Sequence, residues 1–134
     1  MAEKQEPPTA EVRAKSVLIV EDDDITRKLM VIEFKRRGHQ VLEFADAAAA
    51  MTAVEKEKPR IDAAIVDLMN MGYGGNFGDC LRRHNEYRAT MVIYYTALTQ
   101  QQFNTRILNY PNTFYVHKVP GSISLLINRV EGTV

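Results

Sequence analysis

The chain has 134 residues, and this length suits a single globular domain. Hydrophobic residues make up 46% of it and charged residues 25%, the balance of a folded protein rather than a disordered one. Lysine and arginine together number 17, as do aspartate and glutamate, so the formal charge is zero. This balance argues against a protein that holds nucleic acid or an anionic membrane through bulk charge.

No apolar run approaches the ~18 residues that are needed to span a bilayer. The polar start of the chain also lacks the apolar segment of a secretory signal. The single cysteine, Cys80, excludes an intramolecular disulfide. We therefore expect a cytoplasmic protein, since the cytoplasm keeps thiols reduced.

Residues 1–15 are polar and contain the pair Pro7-Pro8, so we expect a flexible tail there and one folded domain over residues 16–134. The domain begins with Ser16–Val20, a short apolar run rich in β-branched residues. Such a run is typical of a strand that is buried on both faces.

A first helix is predicted after the acidic run 21–24. Apolar residues recur there at helical spacing, at Ile25, Leu29, Ile32 and Phe34. The basic residues at positions 28 and 35–37 are expected on the outer side and at the end of this helix. Asp24 is expected to cap its start, and Gly38 is a helix stop.

Strands and helices alternate along the rest of the chain. Further strands are predicted over 41–44, 61–67, 91–95 and 114–116. Further helices are predicted over 46–58, around Cys80 and Leu81, over 99–108 and over 123–130. Asp46 suits the start of the second helix and Pro59 its end, and the glycines at 72, 74 and 75 predict a loop.

Five strands that alternate with five helices predict an α/β fold, with a doubly wound parallel sheet covered on both sides. Ligands bind to such sheets outside the carboxyl ends of the strands. The residues that follow the strands are therefore the candidates for a site. They are Glu21, Asp22, Asp67, Thr96 and Lys118.

Three of these residues are acids that meet at one edge of the sheet. Two carboxylates ~5 Å apart repel by roughly 1 to 3 kcal/mol, and a proton or a hard divalent cation removes the repulsion. Mg²⁺ suits carboxylates, carbonyls and water, and it takes phosphate oxygen as a further ligand. Lys118 adds a positive charge and Thr96 a hydroxyl. The set predicts a phosphoryl group beside a carboxylate that can attack phosphorus and become an acyl phosphate.

These motifs resemble the receiver domain of the two-component response regulators. The resemblance covers about residues 16–131 and rests on VLIVEDD at the first strand, IVDL at the third, YYTA at the fourth and FYVHK at the fifth. Each motif alone is weak, but together they stand in the family's order and at the right strand ends. The resemblance implies a flavodoxin-like fold with a five-stranded parallel sheet of order 2-1-3-4-5, in a stand-alone, single-domain receiver.

The resemblance also implies a phosphorylation site. Asp67 matches the aspartate that takes a phosphoryl group from the phosphohistidine of a histidine kinase or a histidine phosphotransfer protein. Mg²⁺, or Mn²⁺ in its place, would be held by Glu21, Asp22, Asp67 and the backbone carbonyl of Met69. Such a chain is not an enzyme in the ordinary sense, since it catalyses only its own phosphorylation and slow dephosphorylation.

A switch is implied beside the phosphoacceptor. Thr96 and Ala97 match the family's Thr/Ser-Ala pair, which binds the phosphoryl group. Lys118 matches the lysine that pairs with a phosphoryl oxygen, and Tyr115 matches the aromatic residue that moves inward. The output would be a changed face on the fourth helix, the fifth strand and the fifth helix, where a downstream protein or a second phosphorylated copy docks. No nucleic acid or membrane partner is expected.

Three features depart from the family pattern. Met71 stands where the family often has proline, inside the glycine loop, which predicts a mobile segment. Val119 separates the lysine from Pro120, so the family's cis bond between lysine and proline cannot form. Met69 and Leu98 flank the path of the hydrolytic water in this family, and both are apolar here. We therefore expect slow self-dephosphorylation.

Other functions remain open from the sequence. A pseudo-receiver, which binds proteins without control by phosphate, would share the fold, and Val119 and the missing loop proline keep it open. A haloacid-dehalogenase-type phosphatase would use Asp22 and Asp24, but it needs an acidic pair after its lysine, where only Glu131 stands. A flavin-binding module would meet repulsion between its phosphate and the acidic run 21–24.

Several residues have a purely structural interpretation. Tyr94 and Tyr95 are expected to pack in the core, and the ring of Tyr115 can be core as well as switch. Cys80 and His84 lie four residues apart on a predicted helix, but no further ligand stands at zinc-site spacing.

Overall fold

A computed structural model describes residues 13–67, 77–99, 101–102 and 110–132 of the chain. The strands are β1 (Ser16–Val20), β2 (Gln40–Phe44), β3 (Ala63–Val66), β4 (Met91–Thr96) and β5 (Thr113–His117). The α-helices in these residues are α1 (Asp24–Arg36), α2 (Ala47–Glu57), α3 (Phe77–Arg82) and α4 (Ser122–Glu131), and a 3₁₀ helix spans Asn85–Tyr87. Seven of the ten residues of the predicted helix over 99–108 lie outside the described residues. No helix in the described part is long and apolar enough to cross a bilayer.

The five strands form one parallel sheet in the order β2-β1-β3-β4-β5, which confirms the predicted doubly wound α/β fold. Val20 lies opposite Val66, and Val66 lies opposite Tyr94. Tyr94 in turn lies opposite Tyr115 on the edge strand. Because the strands are parallel and level, the residues that follow them emerge at one edge of the sheet.

Apolar side chains cover both faces of the sheet and form two core layers. Residues of β1 are buried along the whole strand and alternate between the layers. The first layer contains Leu18, Val66 and Tyr94 of the sheet, Val54 of α2 and Leu81 of α3. The second layer contains Ile19, Ile65 and Ile93 of the sheet, Phe34 of α1 and Leu126 of α4. The central strands are continuous apolar runs because both of their faces are covered.

The predicted ends of α2 are confirmed. The side chain of Asp46 caps the helix and accepts a hydrogen bond from the Ala49 N–H at 2.7 Å. Lys58 closes the helix in the left-handed conformation, with φ of 46°, and its N–H donates to the Val54 carbonyl. Pro59 follows and cannot continue the helix.

The start of α1 differs from the prediction by one residue. Asp23, not Asp24, is the N-cap, and its carboxylate accepts a hydrogen bond from the Thr26 N–H at 2.8 Å. Asp24 is the first helical residue, and its carboxylate pairs with Arg27 at 2.6 Å. An N-cap needs an extended backbone, which Asp23 has with φ of −77° and ψ of 115°. Composition alone could not select among the adjacent aspartates.

The face of α1 that packs on the sheet also differs from the prediction. Ile25, Leu29 and Ile32 are 72%, 49% and 52% exposed, whereas Met30 and Phe34 are fully buried. The prediction grouped Phe34 with Ile25, Leu29 and Ile32, but in the helix Phe34 lies on the opposite, buried face with Met30. The stripe with the large Phe34 ring is the one that packs into the second core layer.

A buried ionic network joins the end of α4 to the amino edge of the sheet. The Glu131 carboxylate accepts two hydrogen bonds from the Arg37 guanidinium, at 2.6 and 2.7 Å. Its Oε2 also lies 2.8 Å from Nε2 of the buried His39. Nδ1 of His39 accepts the backbone N–H of Lys15, just before β1. The hydrogen bonds from Arg37 hold the pKa of Glu131 below its usual range.

Candidate functional site

Three carboxylates come together at the carboxyl edge of the sheet. Glu21 and Asp22 follow β1, and Asp67 follows β3. One carboxylate oxygen of each residue lies within 4.8 Å of the others. Glu21 and Asp67 are buried, with exposures of 1% and 3%, and Asp22 is exposed. The convergence that the sequence predicts for these acids is present in the structure.

Backbone hydrogen bonds fix the two buried acids. The N–H of Glu21 donates to the Phe44 carbonyl, and the N–H of Asp67 donates to the Val20 carbonyl, each at 3.0 Å. Both bonds continue the strand pairing by one residue. The fold therefore holds the two carboxylates near each other against their mutual repulsion.

Lys118 follows β5 and reaches both buried acids. Its Nζ lies 2.7 Å from Oε1 of Glu21 and 3.0 Å from Oδ2 of Asp67. Its backbone N–H donates to the Thr96 carbonyl at 2.8 Å. Burial acts to lower the pKa of Lys118, but the contacts with Glu21 and Asp67 outweigh it and raise the pKa. The ammonium group therefore stays charged at neutral pH.

One lysine does not neutralise three carboxylates. Burial raises the pKa of Glu21 to about 7, although Lys118 and the Asp23 N–H act to lower it. Oε1 of Glu21 is buried and receives no well-directed hydrogen bond from the described residues, so its contact with Lys118 is ionic. A buried carboxylate oxygen with only an ionic contact can also serve as a ligand for a hard cation.

Thr96 ends β4 with its side chain fully buried. Its Oγ1 accepts the backbone N–H of Leu98 at 3.1 Å. Thr96 lies opposite His117 in the sheet, so it is level with the residue before Lys118. The predicted hydroxyl therefore lies at the same edge as the acids and the lysine, and Ala97 follows it in an exposed position.

Two side chains of β5 contact the loop that follows β4. The hydroxyl of Tyr115 donates to the Leu98 carbonyl at 2.7 Å, while its ring packs against the first core layer. The His117 ring stacks on Tyr115 with centroids 6.4 Å apart, and its Nε2 lies 3.2 Å from the Ala97 carbonyl. Tyr115 thus has a core contact through its ring and a loop contact through its hydroxyl.

Some predicted positions fall outside the described residues. They include Met69, with its predicted carbonyl ligand, as well as Met71 and the glycine loop. The predicted fourth helix of the switch face lies largely there too. These positions therefore stay predictions from the sequence.

Two residues near Lys118, Tyr95 and Ser122, were not predicted from the sequence to be site residues. Nζ of Lys118 lies 5.6 Å from the ring centroid of Tyr95, and the Tyr95 hydroxyl lies 2.7 Å from Oγ of Ser122. The prediction that Tyr95 packs in the core is confirmed by its 4% exposure. The available signal was the Pro120-Gly121 pair directly after the lysine segment, which is typical of a tight turn.

The family model for the response regulator receiver domain matches residues 17–131. The chain belongs to this family. Receiver domains are signalling modules of two-component systems rather than ordinary enzymes, and they interact with histidine kinases and downstream effectors. No curated protein sequence matches this receiver significantly.

Solved structures share the fold of this receiver. Chemotaxis response regulator CheY4 of Vibrio cholerae is 22% identical with a TM-score of 0.75, over 88% of this chain and 99% of that chain. TrrA of Thermotoga maritima, in complex with Mg²⁺-BeF, is 19% identical with a TM-score of 0.73, over 90% and 99% of the two chains. The receiver domain of the sensor histidine kinase PA1611 from Pseudomonas aeruginosa, with a magnesium ion in its active site cleft, is 22% identical with a TM-score of 0.73, over 90% and 97%.

Receiver domains bind Mg²⁺ at an acidic site, and the residues of this receiver fit that ion. The fit rests on the three converging carboxylates and on the buried Glu21 oxygen that lacks a well-directed hydrogen bond from the described residues. Carboxylate oxygens are the protein ligands that Mg²⁺ prefers.

The segment after Lys118 differs from the family pattern, as the sequence indicates. Val119 separates Lys118 from Pro120, and no peptide bond of the described residues is cis.

Proposed function

We propose that this receiver accepts a phosphoryl group on Asp67 from the phosphohistidine of a histidine kinase or a histidine phosphotransfer protein. One observation carries the proposal. The Asp67 carboxylate is 3% exposed, has the Lys118 Nζ at 3.0 Å, and lies within 4.8 Å of two further carboxylates. A strand-end aspartate with only a structural role has no need of this surrounding charge.

In the transfer, a carboxylate oxygen of Asp67 forms a bond to phosphorus as the bond between phosphorus and the histidine nitrogen breaks. The electron pair of the broken bond returns to that nitrogen, and the imidazole takes up a proton. The Lys118 ammonium faces the carboxylate at 3.0 Å and offsets the negative charge of the phosphoryl oxygens. The products are an acyl phosphate on Asp67 and a free histidine.

Glu21, Asp22 and Asp67 would hold Mg²⁺, or Mn²⁺ in its place, together with the carbonyl of Met69. The cation, when bound, neutralises the carboxylates and the phosphoryl oxygens. Glu21 and Asp67 lie on the buried side of this cluster, and Asp22 lies on its solvent side.

The loop after β4 supplies the link from phosphorylation to the output face. If Thr96 turns its hydroxyl to the phosphoryl group, beside Ala97, it gives up the hydrogen bond from the Leu98 N–H. The same Leu98 binds the Tyr115 hydroxyl through its carbonyl, so the displacement reaches Tyr115. The face formed by the helix predicted over 99–108, by β5 and by α4 then binds a downstream protein or a second phosphorylated copy.

The two alternative functions, a phosphatase and a pseudo-receiver, have less support. A haloacid-dehalogenase-type phosphatase would need Glu131 near the lysine, but Arg37 and His39 bind that carboxylate at the opposite edge of the sheet. A pseudo-receiver would share the fold, yet it would not require the complete set of acids with the lysine.

Incubation with acetyl phosphate and Mg²⁺, followed by intact-protein mass spectrometry, tests the proposal. We expect the wild type to gain one phosphoryl group, and we expect no gain in Asp67→Asn or in the presence of EDTA. Asp46→Asn is a matched control, because asparagine caps a helix as well as aspartate does, and it should gain the group as the wild type does. A wild type that gains nothing with Mg²⁺ would favour the pseudo-receiver.

A further inference from the structure

A tight turn follows Lys118 directly. The Ser122 N–H donates to the Val119 carbonyl at 3.0 Å, which closes a four-residue turn. Pro120 is its second residue, and Gly121 is its third with φ of 82° and ψ of −2°. These angles and residue types define a type II turn, whose third position needs a positive φ. The extra residue Val119 is therefore the first residue of a regular turn, and its side chain is 46% exposed.

The Ser122 side chain connects this turn to β4. Its Oγ accepts the Val119 N–H at 3.2 Å and lies 2.7 Å from the Tyr95 hydroxyl. Ser122 and Tyr95 are buried, with exposures of 2% and 4%. Because buried polar groups without partners are costly, this small network holds the turn in one position.

Lys118 is held on both sides by these contacts. Its own N–H donates to the Thr96 carbonyl at 2.8 Å, and the next residue is held through Ser122. The Tyr95 ring also lies beneath the lysine side chain, with Nζ 5.6 Å from the ring centroid, within the range of a cation–π contact. The same tyrosine therefore contacts the ammonium with its ring and the turn with its hydroxyl.

We propose that Tyr95 and Ser122 are positioning residues, which hold the Nζ of Lys118 between Glu21 and Asp67. The inference rests on the proposed phosphorylation of Asp67. In this chain the type II turn with its buried tyrosine–serine pair fixes the backbone of the lysine, and the tyrosine ring limits the rotamers of its side chain. Nζ is thereby in place before the phosphoryl donor arrives, which lowers the cost of ordering a long side chain.

Ser122→Ala and Tyr95→Phe test the inference in the acetyl phosphate assay. Each variant removes the hydrogen bond between the two residues, and Tyr95→Phe keeps the ring. We expect phosphorylation of either variant to be slower by about 3- to 10-fold, the range of one lost hydrogen bond. Ser122→Thr keeps the hydroxyl and should restore most of the rate. Tyr87→Phe is the matched control, since it removes a buried tyrosine hydrogen bond to the Pro59 carbonyl at the amino edge, and its rate should equal that of the wild type.

A double-mutant cycle shows whether Ser122 acts through the lysine. In a Lys118→Ala background, Ser122→Ala should slow phosphorylation by less than about 2-fold, because the group that it positions is gone. Amide hydrogen exchange of Lys118 and Val119 gives a second readout in the metal-free, unphosphorylated protein. We expect faster exchange at both amides in Ser122→Ala and unchanged exchange in Tyr87→Phe.

The possible results separate the two proposals. If the wild type gains no phosphoryl group from acetyl phosphate, the pseudo-receiver is favoured over the proposed function and the inference loses its basis. If the wild type is phosphorylated but both Tyr95→Phe and Ser122→Ala match its rate, only the inference is overturned. Full additivity of Ser122→Ala with Lys118→Ala would also overturn it, as would unchanged amide exchange. If Ser122→Ala does not fold, Tyr95→Phe decides by the same criteria, because it keeps the packed ring.

Discussion

If Asp67 forms an acyl phosphate, the resemblance to other receivers predicts that Met69 and Leu98 flank the path of the hydrolytic water and so affect its lifetime. Leu98 is half-buried beside Thr96, and its side chain has no group that can orient a water molecule. Met69 is equally apolar. An attacking water would therefore find no general base at either position.

Replacement of these residues should shorten that lifetime. The double variant Met69→Asn, Leu98→Glu should lose its phosphoryl group faster by about tenfold, because an amide and a carboxylate can orient the attacking water. Decay of the phosphorylated mass after removal of acetyl phosphate measures the rate. Ile32→Glu adds the same charge to an exposed position of α1 and should leave the decay unchanged. Equal decay in the double variant and the wild type would contradict the account.

The residues at the carboxyl edge were predictable because strand ends are visible in the sequence and parallel strands bring their ends together. Glu21 and Asp67 each follow an apolar run directly, and Lys118 follows one after a single histidine, so their convergence needed only the fold class. Tyr95 and Ser122 were not predictable as site residues. The Pro120-Gly121 pair marks the turn, but the contact between Tyr95 and Ser122 depends on how α4 starts relative to β4, which no local pattern encodes.

At the scale of elements, α2 ends at a position that suits another residue type. Lys58 has φ of 46°, which costs energy for a residue with a Cβ atom, and glycine is the usual residue at such a helix end. Its ammonium pairs with Glu86 only at 3.7 Å, and both side chains are about half exposed, so this ion pair adds little.

Lys58→Gly should therefore raise the free energy of unfolding by roughly 0.5–1 kcal/mol. Lys56→Gly, in the last turn of the same helix, is the matched control with the opposite sign. It should lower the free energy of unfolding by roughly 0.5–1 kcal/mol, because glycine is unfavourable within a helix. Urea denaturation measures both values. A loss of stability in Lys58→Gly would contradict the assigned helix end.

The elements themselves followed from periodicity and capping residues, whereas their exact contacts did not. The ends of α2 were marked by Asp46 and Pro59, which act locally. The orientation of α1 was not marked, since both of its stripes are apolar. Packing against the sheet selected the stripe with Phe34, and that choice depends on residues distant in the sequence.

At the scale of the whole molecule, the two edges of the sheet carry different charge networks. The carboxyl edge holds an excess of acids around one lysine, which favours a cation. The amino edge holds Glu131 with Arg37 and His39, a network that is complete without a ligand. It joins the end of α4 to the segment between α1 and β2, so it should contribute to global stability.

The Glu131 network predicts a pH dependence. The pKa of the Glu131 carboxyl is lower in the folded protein than its usual 4.5. The stabilisation that this carboxylate gives the folded state is therefore fully present above pH 4.5, and it is lost as the pH falls through the folded pKa. Glu131→Gln should lower the free energy of unfolding by roughly 1–3 kcal/mol at neutral pH, because Arg37 and His39 lose their anionic partner. The free energy of unfolding of this variant should also vary less with pH in the acid range. Glu33→Gln, which breaks a partly exposed pair with Arg36, should change stability by less than about 0.5 kcal/mol. Thermal melts of the two variants at neutral and acid pH would contradict the account if they matched.

The proposed acyl phosphate on Asp67 can be located directly. Borohydride reduces an acyl phosphate of aspartate to homoserine, so treatment of the phosphorylated protein followed by peptide mass spectrometry locates the modified residue. We expect homoserine at position 67 alone, and none when Mg²⁺ is withheld. Homoserine at position 22 with Asp67 unchanged would contradict the proposal, since that result would place the nucleophile on the carboxylate that follows β1.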